Sequence, residues 1–168
     1  MTYITNKTFD EININDTANL THTLTQRDIE LFAIMSGDVN PAHVDPEYAK
    51  NDMFHQIVAH GMWGGALIST LLGTQLPGPG TIYLNQTLNF LHPIVLGDTV
   101  VVTVRVTKKY ILSEANRKGK LIEKRIIELD CACVNQANQM VISGQAKVLA
   151  PTEKISRERV ILPEIMLK

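Results

Sequence analysis

Residues His60 to Leu72 read His-Gly-Met-Trp-Gly-Gly-Ala-Leu-Ile-Ser-Thr-Leu-Leu. From Met62 to Leu72 this stretch is apolar nearly all round, the pattern of a buried helix. Gly64 and Gly65 each weaken a helix by roughly 1 kcal/mol relative to alanine. Glycines kept at that cost suggest a second backbone, or a ligand, passing close. Gln75 to Gly80, with Pro77, Gly78, Pro79 and Gly80, ends the helix.

After Thr81 the period changes to two. Ile82, Leu84, Leu88 and Phe90 alternate with Tyr83, Asn85, Thr87 and Asn89, and Val100, Val102, Val104 and Val106 repeat the pattern within Thr99 to Tyr110. A polar loop from Ser113 to Gly119 separates these from Lys120 to Asn135, and a turn over Asn135 to Asn138 leads to Gln139 to Leu149. Consecutive hairpins behind one buried helix predict an α+β fold, a curved antiparallel sheet wrapped on that helix.

Upstream, Lys7 to Leu24 reads as extended chain broken by Asn13, Asn15 and Asp16. Thr25-Gln-Arg-Asp28 resembles a capping box, and the helix behind it stops at Gly37. Next comes Ser36-Gly-Asp-Val-Asn-Pro-Ala-His-Val-Asp45. Asp38 and His43 are five apart, wrong for one helical face and for strand alternation. A turn forced by Asn40-Pro41 can bring both side chains to one place, where an acid and an imidazole share the activation of one water. An Asx-type turn with His43 packed beside it explains the same residues. Asp45 suits the N-cap of a second short helix, with Pro46 at its first position.

The 168 residues suffice for one domain with a proper core. We expect residues 1–150 to form it and 151–168, with Pro151 and Pro163, to be a linker or outer arm. A net charge of −1 carries no electrostatic footprint for nucleic acid or an anionic membrane. The longest apolar run, Gly61 to Gly73, falls well short of the ~20 residues that span a bilayer. Lys108, Lys109, Lys118 and Lys120 read as solvated strand ends and a turn, and as weak phosphate-binding candidates. Cys131 and Cys133 point to one face of a strand with no second ligand pair for zinc, so we expect free thiols, no metal and a cytoplasmic protein.

Four motifs together resemble the MaoC-like (R)-specific enoyl-CoA hydratases. They are Ser36 to Asp45, Ala59-His-Gly-Met62, Leu76-Pro-Gly-Pro-Gly80 and Phe90-Leu-His-Pro-Ile-Val-Leu-Gly-Asp98. Within that family the chain is most similar to the N-terminal hydratase domain of bifunctional enoyl-CoA hydratase/phosphate acetyltransferases. The carriers of that closer match are His60 to Ala66 and Ala150-Pro-Thr-Glu-Lys154; such proteins continue into a phosphotransacetylase half.

The resemblance implies a hot-dog fold and reversible hydration of trans-2-enoyl-CoA to 3-hydroxyacyl-CoA. CoA is then part of the substrate, and no separate cofactor is expected. It makes Asp38 and His43 the catalytic pair, with Asp38 on the base side and His43 its co-activator. Gly61 becomes the backbone oxyanion donor, and Ser69 lines the same site. Asn40 is expected to orient the loop, His60 to fix the turn by hydrogen bonding, and Trp63 either to shape the acyl pocket or to pack in the core. A homodimer with a continuous sheet is implied as well. The alternatives are an acyl-CoA thioesterase and a non-catalytic acyl-CoA-binding module on the same fold. The first generally wants a helix carboxylate, absent between Gly61 and Gly73, and the second predicts loss of the acid–histidine pair, which is present.

Overall fold

The computed structural model describes residues 2–115, 119–163 and 165. In chain order the elements are β1 (Tyr3–Thr5), β2 (Thr17–Thr23), α1 (Gln26–Ser36), α2 (Pro41–Val44), α3 (Pro46–Asn51) and α4 (Gly61–Thr74). Then follow β3 (Ile82–Phe90), β4 (Thr99–Ala115), β5 (Leu121–Asn135), β6 (Met140–Leu149) and β7 (Ser156–Glu158). Strands β2-β4-β5-β6-β3, in that spatial order, form one antiparallel sheet. Its register slips between Val106 and Lys108 and between Tyr83 and Asn85. Such irregularities bend strands, and here they sit in a sheet that curves around α4. This is the hot-dog architecture.

The core follows from the two periodicities. Helix α4 buries Trp63, Gly64, Gly65, Ile68, Leu71 and Leu72. Facing it, Val100, Val102, Val104 and Val106 of β4 are fully buried, every second residue on one face of the strand. Each such side chain contributes about 1.5–3 kcal/mol when removed from water.

Ahead of the sheet, Thr25 caps α1 reciprocally. Its Oγ1 accepts from the Asp28 N–H at 3.2 Å, and Asp28 Oδ2 accepts from the Thr25 N–H at 2.8 Å. Gly37 ends the helix at φ 78°, a left-handed conformation that suits glycine.

Several expectations change in detail. The extended Lys7–Leu24 segment narrows to β2, preceded by a 3-10 turn at Phe9–Glu11. The β3 alternation breaks at the bulge beside Leu84, and Ile82, Leu84 and Phe90 are exposed because β3 is a sheet edge. Strand β4 runs to Ala115, so Ser113 to Ala115 are strand; residues 116–118 of the expected loop lie outside the described residues, Lys118 with them.

Lys109 is not a solvated strand end. Its Nζ donates to the Ile12 carbonyl at 2.7 Å and sits 4.7 Å from the Phe9 ring centre, so it ties the N-terminal segment to β4. Lys108 pairs with Glu128 at 2.8 Å. Behind β6, β7 pairs antiparallel with β1, and Asn6 exchanges hydrogen bonds with Glu153 and Ile155. Among the described residues no helix is long and apolar enough to cross a membrane.

Candidate active site

The loop after α1 is a chain of local hydrogen bonds. Ser36 Oγ donates to the Phe32 carbonyl at 2.6 Å and accepts from the Asp38 N–H at 3.2 Å. Asp38 Oδ1 accepts from the Asn40 N–H at 3.2 Å, and Asn40 Oδ1 caps α2 by accepting from the Ala42 N–H at 3.1 Å. The turn around Asn40-Pro41 therefore contains one turn of helix, and that turn carries His43. Asp45 Oδ1 caps α3 by accepting from the Glu47 and Tyr48 N–H groups at 3.0 and 3.1 Å, a structural duty.

Two histidines meet above this loop. His43 Nδ1 lies 2.9 Å from the Val58 carbonyl oxygen, and His60 Nε2 lies 2.9 Å from the Asp38 carbonyl oxygen. A carbonyl oxygen only accepts, so each of those nitrogens is the N–H donor. In the neutral rings, His43 Nε2 and His60 Nδ1 are then the lone-pair nitrogens. His60 Nδ1 is buried and without a partner.

The rings stack with centres 4.0 Å apart and a 33° tilt, and Phe32 covers His60 at 4.9 Å. Asp38, His43 and His60 each bring one ligand atom within 4.8 Å of the others.

Gly61 begins α4 directly after His60, which occupies the N-cap position without a side-chain capping bond. The first-turn N–H groups have no intrahelical partner, and the helix dipole favours an anion there. A Cβ at Gly61 would lie 3.4 Å from the Phe90 ring, so that ring closes directly over the glycine. Next to these groups opens a cavity of about 370 Å³. Asn40, His43, His60 and Gly61 line one part of it, His92 another, and Phe54, Val58, Phe90, Ile94 and Ile142 are among the apolar residues of its wall.

Asp38, Asn40, His43, His60 and Gly61 are therefore gathered by the fold. Ser69 and Trp63 are not. Ser69 is exposed on another side of α4 and lines a second cavity of about 330 Å³ with Phe32, Met35, Met62 and Tyr83. Trp63 is buried in the core, edge-on to His22 at 5.5 Å. The sequence reads His92 as a surface or structural histidine and singles out none of Phe54, Phe90 and Ile142 as a site residue. Phe90 and His92 stood inside a quoted motif, whereas Ile142 reads as an ordinary core position of a strand. Val58, which orients His43, acts through its backbone and leaves no trace in residue type.

Comparison with known proteins gives the chain's family and fold relatives. The family model described as MaoC like domain matches residues 11–125. The (R)-specific enoyl-CoA hydratase of Rhodospirillum rubrum is 42% identical over 143 residues, covering 85% of this chain and 91% of that protein. The unliganded R-hydratase PhaJ1 from Pseudomonas aeruginosa superposes with a TM-score of 0.88 at 39% identity, over 99% of this chain and 100% of that one. The (R)-hydratase from Aeromonas caviae involved in PHA biosynthesis gives 0.72 at 34% identity, over 83% of this chain and 98% of that one. With a family model spanning well over half its length, and full-length relatives at this identity, the chain belongs to the MaoC-like domain family.

Proposed function

We propose that this chain is an enoyl-CoA hydratase, adding water across the double bond of trans-2-enoyl-CoA to give (R)-3-hydroxyacyl-CoA, reversibly. The observation that carries this reading is the convergence of Asp38 and His43 beside the first turn of α4.

The water oxygen bonds to the β-carbon while the Asp38–His43 pair takes one of its protons. The electron pair of the double bond shifts toward the thioester oxygen, and the α-carbon then takes the proton back from the pair. Negative charge on the thioester oxygen is met by the Gly61 N–H. A preorganised donor of that kind contributes several kcal/mol to a transition state. Close titrating groups share a proton jointly, so the acid–base work belongs to the pair. His60 acts through Asp38 and His43, holding the carbonyl of one and the ring face of the other.

Four further elements complete the proposal. The chain acts as a homodimer through the open edge of β3, where Ile82, Leu84, Phe90 and the adjoining Leu91 are exposed. Residues 1–150 form the catalytic unit, and the segment after it is an arm whose strand Ser156–Glu158 pairs with β1. No cofactor is needed beyond the CoA of the substrate. The setting is cytoplasmic, in keeping with two free, buried cysteines whose thiols burial pushes up to about 11 for Cys131 and about 12 for Cys133.

The test is the loss of enoyl absorbance when the chain meets crotonyl-CoA, with the product then offered to an (R)-specific 3-hydroxyacyl-CoA dehydrogenase. Turnover to a product that this dehydrogenase oxidises is expected. Release of free CoA thiol without hydration would replace the reading by a thioesterase, and binding without either reaction by a non-catalytic module.

A further inference from the structure

Each histidine of the site presents one bare nitrogen. The Val58 and Asp38 carbonyls hold the His43 Nδ1–H and the His60 Nε2–H at 2.9 Å, which leaves the lone pairs on His43 Nε2 and His60 Nδ1. Metal-binding histidines are prepared in the same way, the second ring nitrogen donating to a carbonyl or a carboxylate. His60 is 3% exposed, and its Nδ1 has no hydrogen-bond partner among the described residues. A buried polar atom left so is costly, and a ligand that takes its lone pair removes the cost. Asp38 adds a carboxylate on an exposed loop, with Oδ1 accepting from the Asn40 N–H at 3.2 Å.

The three residues each bring one ligand atom within 4.8 Å of the others. We propose that Asp38, His43 and His60 form a site for a transition-metal dication of the Zn²⁺ or Co²⁺ kind, and that loading it blocks the water chemistry of the cavity. Two imidazoles and one carboxylate suit such ions, whereas Mg²⁺ and Ca²⁺ want oxygen ligands. Tetrahedral zinc, with bonds of about 2.0–2.1 Å, holds its ligand atoms ~3.4 Å apart and two imidazole centres ~5 Å apart. The group therefore closes by no more than ~1.4 Å, and the ring stack opens by ~1 Å from its 4.0 Å spacing. The exposed Asp38 side chain is free to make most of that adjustment.

Three protein ligands leave a fourth position for a water or another small ligand. Among the described residues that line the cavity none is a lysine or arginine, so no fixed cation repels the ion. Binding stands on these observations alone, and its effect on activity rests on the hydratase reading. A lone pair committed to the ion cannot take a proton from water, so the Asp38–His43 pair is disabled while the ion is held.

The experiment titrates ZnCl₂ into the full chain by calorimetry and follows CoCl₂ by its visible absorption. One ion per chain is expected, with the intense bands of a four- or five-coordinate Co²⁺, and MgCl₂ should not compete. Asp38→Asn, His43→Gln and His60→Gln, each checked for folding by thermal melting, should weaken the zinc Kd by at least the ~10-fold that losing even an outer-shell partner costs. Glutamine at His22, His55 or His92 should leave the Kd unchanged. Crotonyl-CoA hydration should fall along the zinc binding curve and return with EDTA, and the activity that His60→Gln keeps should resist zinc. No binding, or binding that survives in the folded variants of the three residues, overturns the site, and zinc held there with hydration unchanged overturns the block. If His60→Gln does not fold, the Kd values of the other two variants decide. If the wild type hydrates nothing, the hydratase reading fails, and the Kd series upholds or overturns the metal site by itself.

Discussion

His43 owes its place to a bond it makes away from the chemistry. The Val58 carbonyl takes its Nδ1–H, which fixes the tautomer and leaves Nε2 for a water. His60 does the same for the loop by holding the Asp38 carbonyl. Replacing His60 with Ala is therefore expected to lower kcat by about 10-fold or more, the low end of what positioning errors cost. KM should change little, and His60→Gln, which keeps a donor, should recover part of the loss. A uniform fall in folded fraction instead would make His60 merely structural. Asp45 is the contrast. Asp45→Ala removes two accepted bonds at the start of α3 and should cost about 1 kcal/mol in urea unfolding. The crotonyl-CoA rate per folded molecule should hold. At this scale the sequence was readable where residue type is the message, as in Asp38, His43 and Asp45. It was silent at Val58, which works through a carbonyl.

Strand β6 illustrates what decides stability between elements. A Cβ at Gly144 would lie 2.0 Å from the Thr87 carbonyl oxygen, so β6 and β3 come together only because residue 144 lacks one. Gly144→Ala should destabilise the chain by about 1–3 kcal/mol, read from the urea midpoint at unchanged slope.

The outer face of the sheet carries a different term. The Lys108 ammonium, with that of Lys147, holds the Glu128 carboxyl down at about 2, below its ordinary 4.5. A depressed carboxylate contributes stability that is full above about 4.5 and is lost as pH falls toward 2. Glu128→Gln should accordingly flatten the acid limb of stability against pH, and an unchanged limb would assign acid unfolding to other groups. Element types and order were legible from hydrophobic period alone, from the all-round apolar α4 to the valines of β4. The β3 alternation misled because an edge strand need not bury one face, and a bulge resets its register.

The five-stranded sheet ends at two edges, β2 and β3, and β3 is the one that exposes Ile82, Leu84 and Phe90. Pairing of β3 with a second β3 would cover Ile82, Leu84, Phe90 and Leu91 and continue the sheet across two copies. Sedimentation should give twice the chain mass, and Leu84→Asp, exposed in the single chain, should shift it toward one. A wild-type monomer would remove the dimer from the account. The fold was legible because one buried helix followed by hairpins admits few packings. The cavity beside Gly61 was not, since its wall joins residues of β3, β6 and the segment before α4 that lie far apart in the chain.

The central claim is that Asp38 and His43 act on one water as a unit, and a double-mutant cycle on crotonyl-CoA hydration tests it most directly. Asp38→Asn and His43→Gln should each lower kcat by ~100-fold or more without unfolding. The double variant should be hardly slower than the slower single, because a pair that works together is lost with either member. Losses that multiply, or a single variant at the wild-type rate, would contradict the account.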